Sequence, residues 1–184
     1  YYYNSKFAGR GVYAYIIDTG IMKEHPDLES RAIHGADFTA EGPGDLNGHG
    51  THVSGIIGSK SFGVAKGVTL VEVKALDKFG QGSLSTVIAA LEFAVNHRRD
   101  NGVLGVVNLS LGAIKNSVLN QAIQAAVESG LLVVAAAGNS NVDSCLTSPA
   151  SSPHAITVGA IDDRTDSIAA FSNWGECVDV FASG

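Results

Sequence analysis

Seven consecutive apolar residues at 131–137 constrain the fold of this chain more than any other stretch. A strand with one solvent-exposed face alternates polar and apolar residues. The apolar run at 131–137 is unbroken and is followed by Gly138 and Asn139, so it predicts a strand buried on both faces. Such strands are typical of parallel sheets covered by helices. A run of seven residues is too short to span a membrane.

Strand signals recur along the chain. The first predicted strand covers 12–17, where strand-forming residues follow one another, and the acidic residue Asp18 comes directly after it. Further strands are predicted at 68–76, 103–110, 155–160 and 177–181. Residues 21–47 carry no sustained period and are predicted to be mostly loop.

Helix signals alternate with these strands. One helix is predicted to begin at His49 and end near Gly58, with Val53, Ile56 and Ile57 as its buried face. Two more are predicted, one that begins at Ser83 or Ser85 and ends at 101–102, and one over 118–130. The alternation predicts an α/β fold: a doubly wound, mostly parallel sheet with helices on both faces, in one domain over 1–184.

Composition excludes some partners and leaves the redox state open. A hydrophobic fraction of 45% favours a globular protein, and a net charge of −6 without a basic stripe argues against a nucleic-acid partner. No apolar segment indicates a membrane span. Two cysteines, Cys145 and Cys177, are too few for a disulfide framework. Their spacing allows either two reduced thiols or one bridge.

Candidate functional residues follow the predicted strands. Asp18, Ser110 and Asn139 stand at strand ends, where functional groups of parallel sheets gather. His49 lies between two glycines at the start of a helix, an open and rigid position that suits a general base. Asp18 could hold His49 in one tautomer, and Asn139 could donate to an oxyanion. Acyl transfer is the chemistry that needs these roles together.

Other interpretations of the same residues are weaker. His49 and His52 have the spacing of a zinc pair, but no glutamate or cysteine is placed to complete a site. Residues 18–20 match an aspartic-protease signature, but such enzymes need two copies. Asp18 and Asn139 could also be simple turn residues. A nucleotide-binding α/β domain lacks support because no glycine-rich phosphate loop follows the first strand.

Three motifs in register resemble those of the subtilisin-like serine proteases, most closely the proteinase K type. They are Ile-Asp-Thr-Gly at 17–20, Gly-His-Gly-Thr-His-Val-Ser-Gly at 48–55 and Ala-Ala-Gly-Asn at 136–139. The resemblance implies that Asp18 and His49 are the triad aspartate and histidine, and that Asn139 is the oxyanion-hole side chain.

The resemblance also implies a peptide-binding cleft. Ser110, Leu111 and Gly112 would line the primary specificity pocket, and residues Gly80, Gln81 and Gly82 would form the opposite edge. A substrate would then lie as an added strand between them. The family usually has a second glycine after Ser-Leu-Gly, and this chain has Ala113, whose methyl group is expected to change the pocket rim.

Calcium, a disulfide and a location follow from the same resemblance. The implied calcium ligands are the carbonyls of Pro153 and Ala155 with the carboxylate of Asp179. Aqualysin-like members join the positions of Cys145 and Cys177, which favours a bridge and an oxidising compartment, secreted or vacuolar. The implied partners are polypeptide substrates and a propeptide or protein inhibitor, and the expected state is a monomer.

The family's nucleophile segment, Gly-Thr-Ser-Met-Ala, does not occur in these 184 residues. The chain is therefore predicted to be a partial peptidase domain that carries two of the three triad residues. We expect it to be inactive alone. The alternative is a non-catalytic peptide-binding fragment or relic of the fold.

Overall fold

The computed structural model describes residues 4–184. The described part of the chain forms two compact units, one that ends at Asn108 and one over Leu109–Gly184. The prediction of one domain over 1–184 stays a prediction. Among the described residues, no helix has the length and apolar character needed to cross a membrane.

The first unit is a parallel sheet with two long helices. Its strands are β1 Val12–Asp18, β2 Ala32–Asp37, β3 Thr69–Lys74 and β4 Leu104–Leu109, and its helices are α1 His49–Gly58 and α2 Leu84–Asn101. Strand β1 is central and pairs in parallel with β3 on one side and β4 on the other, while β2 pairs only with β3. Short 3-10 helices cover Ser5–Phe7 and Pro26–Leu28.

The two helices of this unit cover opposite faces of the sheet. Ala14 and Ile16 of β1 belong to a core cluster against which Val53 of α1 packs. The intervening Tyr15 points to the other face, since successive strand residues alternate. There its hydroxyl lies 3.0 Å from Nδ1 of His97 in α2. Burial raises the pKa of Tyr15 to about 12, helped by the neighbouring Tyr13.

Residues 21–47 are mostly loop, as predicted, but they also contain strand β2, which the sequence did not predict. The strand was missed because it is a partly exposed edge strand that contains a glycine. A side chain at Gly35 would meet the carbonyl oxygen of Glu72 at 2.7 Å, so the close approach of β3 requires the glycine.

Helix limits agree with the predictions better than buried faces do. Helix α2 begins after Ser83, whose side chain accepts from the amide of Thr86, and ends at Gly102 with φ 62°. Helix α1 spans the predicted range, but Ile56 is 55% exposed and was wrongly placed in its buried face. The small residues Gly50 and Ser54 are buried instead, which brings α1 close to the sheet.

The second unit holds three parallel strands and one long helix. Its elements are β5 Ala113–Ile114, α3 Ser117–Glu128, β6 Leu131–Ala136, β7 Thr147–Ser148, β8 Ile156–Asp162, β9 Ser167–Ile168 and β10 Val180–Ser183. Strand β8 pairs in parallel with β6 and β10 and antiparallel with β9, while β5 and β7 form a separate antiparallel pair. The last strand lies a few residues beyond the predicted 177–181, and Leu132 is 45% exposed, so 131–137 is not buried on both faces throughout.

A disulfide joins two segments of this unit. Cys145 lies in the 3-10 helix Ser144–Leu146, and Cys177 lies three residues before β10, with their Cα atoms 5.3 Å apart. Both cysteines of the chain are therefore bonded. The structure confirms the bridge that the resemblance implied and removes the reduced-thiol alternative.

One carboxylate orders the turn before α1. Asp45 accepts hydrogen bonds from the amides of Asn47, Gly48 and Thr51 and from the hydroxyls of Thr19 and Thr51, at 2.6–3.0 Å. Burial alone would raise the pKa of Asp45, but these hydrogen bonds outweigh burial and hold the pKa below its ordinary value. The charged carboxylate therefore stabilises the turn that delivers His49.

Asp45→Asn is expected to lower the free energy of unfolding by about 1–3 kcal/mol at neutral pH, because a charged acceptor of several hydrogen bonds is lost. Folding lowers the pKa of Asp45, so its contribution is complete above the ordinary pKa of 3.8 and is lost as the pH falls through the folded-state value. Urea unfolding of both proteins at stepwise lower pH should show the difference closing. The exposed Asp100→Asn serves as control and should change little; a difference that persists in acid would contradict the prediction.

Replacing Cys145 and Cys177 together by serine is expected to lower the free energy of unfolding by roughly 3–4 kcal/mol, the loop-closure value for a sequence separation of 32 residues. Urea unfolding with and without a thiol reductant measures this. The reductant should destabilise the wild type and leave the double variant unchanged. Equal stability of wild type and double variant would show that the bridge contributes nothing.

Candidate active site

An aspartate and a histidine form a close pair in the first unit. Nδ1 of His49 lies 2.7 Å from Oδ1 and 2.9 Å from Oδ2 of Asp18. The carboxylate is fully buried, whereas the His49 side chain is 48% exposed. A carboxylate can only accept, so Nδ1 carries the hydrogen, and in the neutral imidazole Nε2 then holds the lone pair. The pair that the sequence predicted is brought into contact.

Two glycines allow this contact. Gly50 follows His49, and a side chain there would collide with the carbonyl oxygen of Gly20 and lie 3.2 Å from Cβ of Asp18. Gly20 itself has φ 113°, and a side chain on it would collide with the carbonyl oxygen of Gly44. The start of α1 therefore packs directly on the turn after β1, which sets the distance between Asp18 and His49.

Two buried charges of β3 hold the loops around this pair, and the sequence did not reveal them. Oε1 of Glu72 accepts from the amides of Ile21 and Gly44 at 2.9 and 2.8 Å. Nζ of Lys74 donates to the carbonyls of Thr19 and Gly44 at 3.1 and 2.9 Å. Both side chains have no solvent exposure. Residues 71–75 read Val-Glu-Val-Lys-Ala, and charged residues that alternate with apolar ones along a strand normally lie on its solvent face.

Each buried charge also has an ionic partner. Lys23 Nζ lies 4.0 Å from Oε2 of Glu72, which also lies 2.7 Å from Nδ1 of His34, and Glu41 Oε2 lies 3.3 Å from Nζ of Lys74. Charges removed from water are tolerated only when they are paired and hydrogen-bonded. Glu72 and Lys74 therefore connect the loop after Asp18 and the loop at Gly44 to strand β3.

The predicted edge at 80–82 is an exposed loop that leaves backbone groups free. Asp77 closes the loop, since its amide donates to the carbonyl of Gln81 and its side chain accepts from the Gln81 amide. Within residues 4–184, the N–H and C=O of Gly82 and the C=O of Gly80 form no hydrogen bond. Asn47 ties this loop to the turn before His49 by donating to the carbonyl of Lys78 at 2.9 Å.

In the second unit, residues 110–112 line a cleft of about 600 Å³. Small apolar side chains form much of its wall, among them Ala113, Ala137 and Val142. Ala113 belongs to the short strand β5 and is exposed, so its methyl group lies on the cleft's rim. The predicted specificity segment does line a cavity.

Asn139 lies on the same cleft, three residues beyond β6. Its side chain is exposed, and Gly138 before it has φ 106°. A side chain on Gly138 would lie 2.5 Å from Nδ2 of Asn173, so only glycine fits there. The turn therefore presents an amide side chain at the edge of the cavity.

The predicted calcium ligands surround the start of β8. Pro153 and Ala155 precede the strand, and Asp179 precedes β10. Oδ2 of Asp179 accepts from the amide of Thr157 at 2.7 Å. In the range 4–184, no three His, Cys, Asp or Glu side chains form a metal-binding group. The zinc interpretation of His49 and His52 therefore gains no support.

A sequence model of the subtilase family matches residues 9–184. The chain is 53% identical over 188 residues to the subtilase-type proteinase RRT12 of Saccharomyces cerevisiae, a match that covers 100% of this chain and 38% of that relative. It is 47% identical over 190 residues to the subtilisin-like serine protease Rho m 2.0101 of Rhodotorula mucilaginosa, with 100% of this chain and 55% of the relative covered.

A comparison with solved structures also finds a subtilisin-like protein. The crystal structure of a cold adapted subtilisin-like serine proteinase matches with a TM-score of 0.91 and 43% identity, and the match covers 100% of this chain and 66% of that one. This likeness confirms the predicted α/β fold with a mostly parallel sheet. The family match and the identity to these relatives show that the chain belongs to the subtilase family of subtilisin-like serine proteases.

Proposed function

We propose that this chain is the part of a serine endopeptidase that supplies the aspartate and histidine of an Asp-His-Ser triad. The observation that carries the proposal is the contact of a fully buried Asp18 carboxylate with Nδ1 of a half-exposed His49. This arrangement leaves Nε2 as the only ring nitrogen able to accept a proton, and the ring's exposed part is open to substrate.

The chemistry divides between these residues as follows. Nε2 of His49 takes the proton of a serine hydroxyl while the serine oxygen attacks the scissile carbonyl, and Asp18 stabilises the imidazolium that forms. Asn139 donates from its side-chain amide to the oxyanion of the tetrahedral intermediate. His49 then gives its proton to the leaving amine, and a water molecule activated in the same way hydrolyses the acyl-enzyme.

No Gly-Thr-Ser-Met-Ala segment occurs in the 184 residues, and we propose that the nucleophilic serine is supplied by sequence outside them. We propose that the chain alone does not turn over peptides and that a protein containing both the chain and the nucleophile does.

Extended polypeptides fit the free backbone groups and the cleft best. The unbonded N–H and C=O of Gly82 and C=O of Gly80 have the pattern that an added peptide strand requires. The wall of the cleft lined by 110–112 includes apolar side chains such as Leu111, Ala137 and Val142, which favours an apolar side chain at the substrate's P1 position.

The test is hydrolysis of a chromogenic peptide with an apolar P1 residue. The 184-residue chain should give neither turnover nor a burst with an active-site titrant. The full-length gene product that contains it should hydrolyse the peptide, and His49→Ala should lower its kcat by about 10³-fold or more, because the general base is lost. His52→Ala, an exposed histidine on the same helix, is the matched control and should retain activity.

A non-catalytic peptide-binding role predicts a different result. Peptide would then bind the full-length protein without turnover, and His49→Ala would leave its affinity unchanged. Burst release by the 184-residue chain itself would contradict the proposal that the chain lacks the nucleophile, since it would place a nucleophile within these residues.

The proposal also includes a structural calcium site in the second unit. Within the described residues, the carbonyl of Pro153 and Oδ1 of Asp179 accept no hydrogen bond, so hard oxygen ligands are available. With the carbonyl of Ala155 they would hold a calcium ion, which would tie the segment before β8 to the segment before β10. Such an ion would stabilise the fold without taking part in proton transfer.

Millimolar calcium is expected to raise the midpoint of thermal unfolding, and a chelator should lower it. Saturation at about 100 times the dissociation constant would add about 2.7 kcal/mol. Asp179→Asn keeps an acceptor for the Thr157 amide but removes the charge, so it should abolish the calcium dependence. Asp166→Asn, an exposed aspartate of the same unit, should not. An unfolding midpoint unaffected by either calcium or chelator would contradict the site.

The disulfide favours an oxidising location. We propose that the protein is secreted, or held in a vacuole, and acts as a monomer on polypeptides, with a propeptide or protein inhibitor as a further partner. The bonded pair Cys145 and Cys177 supports this location.

A further inference from the structure

Asn173 brackets the turn that carries Asn139. Its Oδ1 accepts from the amides of Ser140 and Val142 at 3.0 and 3.2 Å, and its Nδ2 donates to the carbonyl of Ala137 at 2.8 Å. Its own amide donates to the carbonyl of Gly138 at 2.9 Å. One residue therefore binds the backbone on both sides of Asn139.

The buried side chain of Asn173 directs its hydrogen bonds to this one turn. It is 1% exposed, and an asparagine buried to that degree must satisfy its amide atoms or lose stability. It does so entirely with the backbone of this turn. Gly138 must also be a glycine because Nδ2 of Asn173 occupies the space that a side chain would fill.

The segment around Asn173 is itself fixed to the chain after the turn. The carbonyl of Phe171 accepts from the amide of Asn141, while the amide of Trp174 donates to the carbonyl of Val142 and its carbonyl accepts from the amide of Ser144. The bridge between Cys145 and Cys177 lies just beyond these contacts. Asn173 therefore acts from a rigid support.

We propose that Asn173 is a positioning residue for the oxyanion donor: it fixes the backbone from 137 to 142 and thereby the direction in which the Asn139 amide points. This inference rests on the proposed function, because it gives Asn139 its role in the tetrahedral intermediate. A donor that stabilises only the transition state loses its effect when it is displaced, so Asn173 controls kcat rather than substrate affinity.

The kinetic test is a double-mutant cycle in the full-length gene product. Asn173→Ala is expected to lower kcat by about tenfold or more and to change KM by less than about threefold. In an Asn139→Ala background the same change should lower kcat by less than about twofold, because the donor that it positions is already gone. Equal losses in both backgrounds, or an unchanged kcat, would overturn the proposal.

A structural control separates positioning from loss of stability. Asn116→Ala removes the side-chain cap of α3, where Asn116 accepts from the amides of Val118 and Leu119, without a contact to the turn. It should lower stability by about 1 kcal/mol and leave kcat within about twofold. If Asn173→Ala does not fold, Asn173→Asp keeps the volume and the acceptor oxygen while losing the donor to Ala137, and the same cycle is run with it.

Hydrogen exchange in the 184-residue chain tests the positioning without catalysis. The amides of Ser140 and Val142 should exchange at least about tenfold faster in Asn173→Ala than in wild type, because their shared acceptor is removed, and at the wild-type rate in Asn116→Ala. Unchanged exchange would overturn the inference. A wild-type full-length protein without turnover would instead overturn the proposed function and the oxyanion role with it, whereas the exchange result would still decide whether Asn173 orders the turn.

Discussion

The buried carboxylate of Asp18 is the constraint on which the first unit depends. A carboxylate without solvent exposure must find donors within the protein, and it finds them in the amide of Thr19 and in Nδ1 of His49. The second donor is available only if α1 starts against the turn after β1, and glycine at 50 permits that approach. Local backbone geometry and the orientation of His49 are therefore two results of satisfying one charge.

Glu72 and Lys74 of β3 are also buried charges that find hydrogen-bond partners within the protein, in this case in the neighbouring loops. Removing Glu72 or Lys74 would leave backbone amides or carbonyls of the neighbouring loops without partners in a region closed to water. A buried ion pair is weak evidence for stability, because desolvation offsets the attraction, but it fixes geometry well. In this chain the geometry fixed is that of the loops at 19–21 and 44–45, which lie beside the Asp18–His49 pair.

The sequence predicted the fold and the pair more fully than it predicted their supports. Asp18 and His49 could be found because they occupy positions with a local signature, a strand end and a glycine-flanked helix start. Glu72 could not, because polar residues that alternate with valines normally face water, and only the covering loops of the folded chain reverse that expectation. Strand β2 was missed for a related reason: an edge strand lacks the apolar pattern that marks a central one.

The two units hold their functional groups by different physical means. Among the described residues, the fully buried charged side chains, Asp18, Glu72 and Lys74, all lie in the first unit. The buried polar side chains of the second unit are neutral, and its Asn139 turn is held by the amide of Asn173 beside a disulfide. Acid weakens the support of His49 as Asp45 gains a proton, because the hydrogen bonds that hold the pKa of Asp45 below its ordinary value are then lost. A reductant acts instead on the support of Asn139. Loss of function by these two routes would have separate structural origins within one chain.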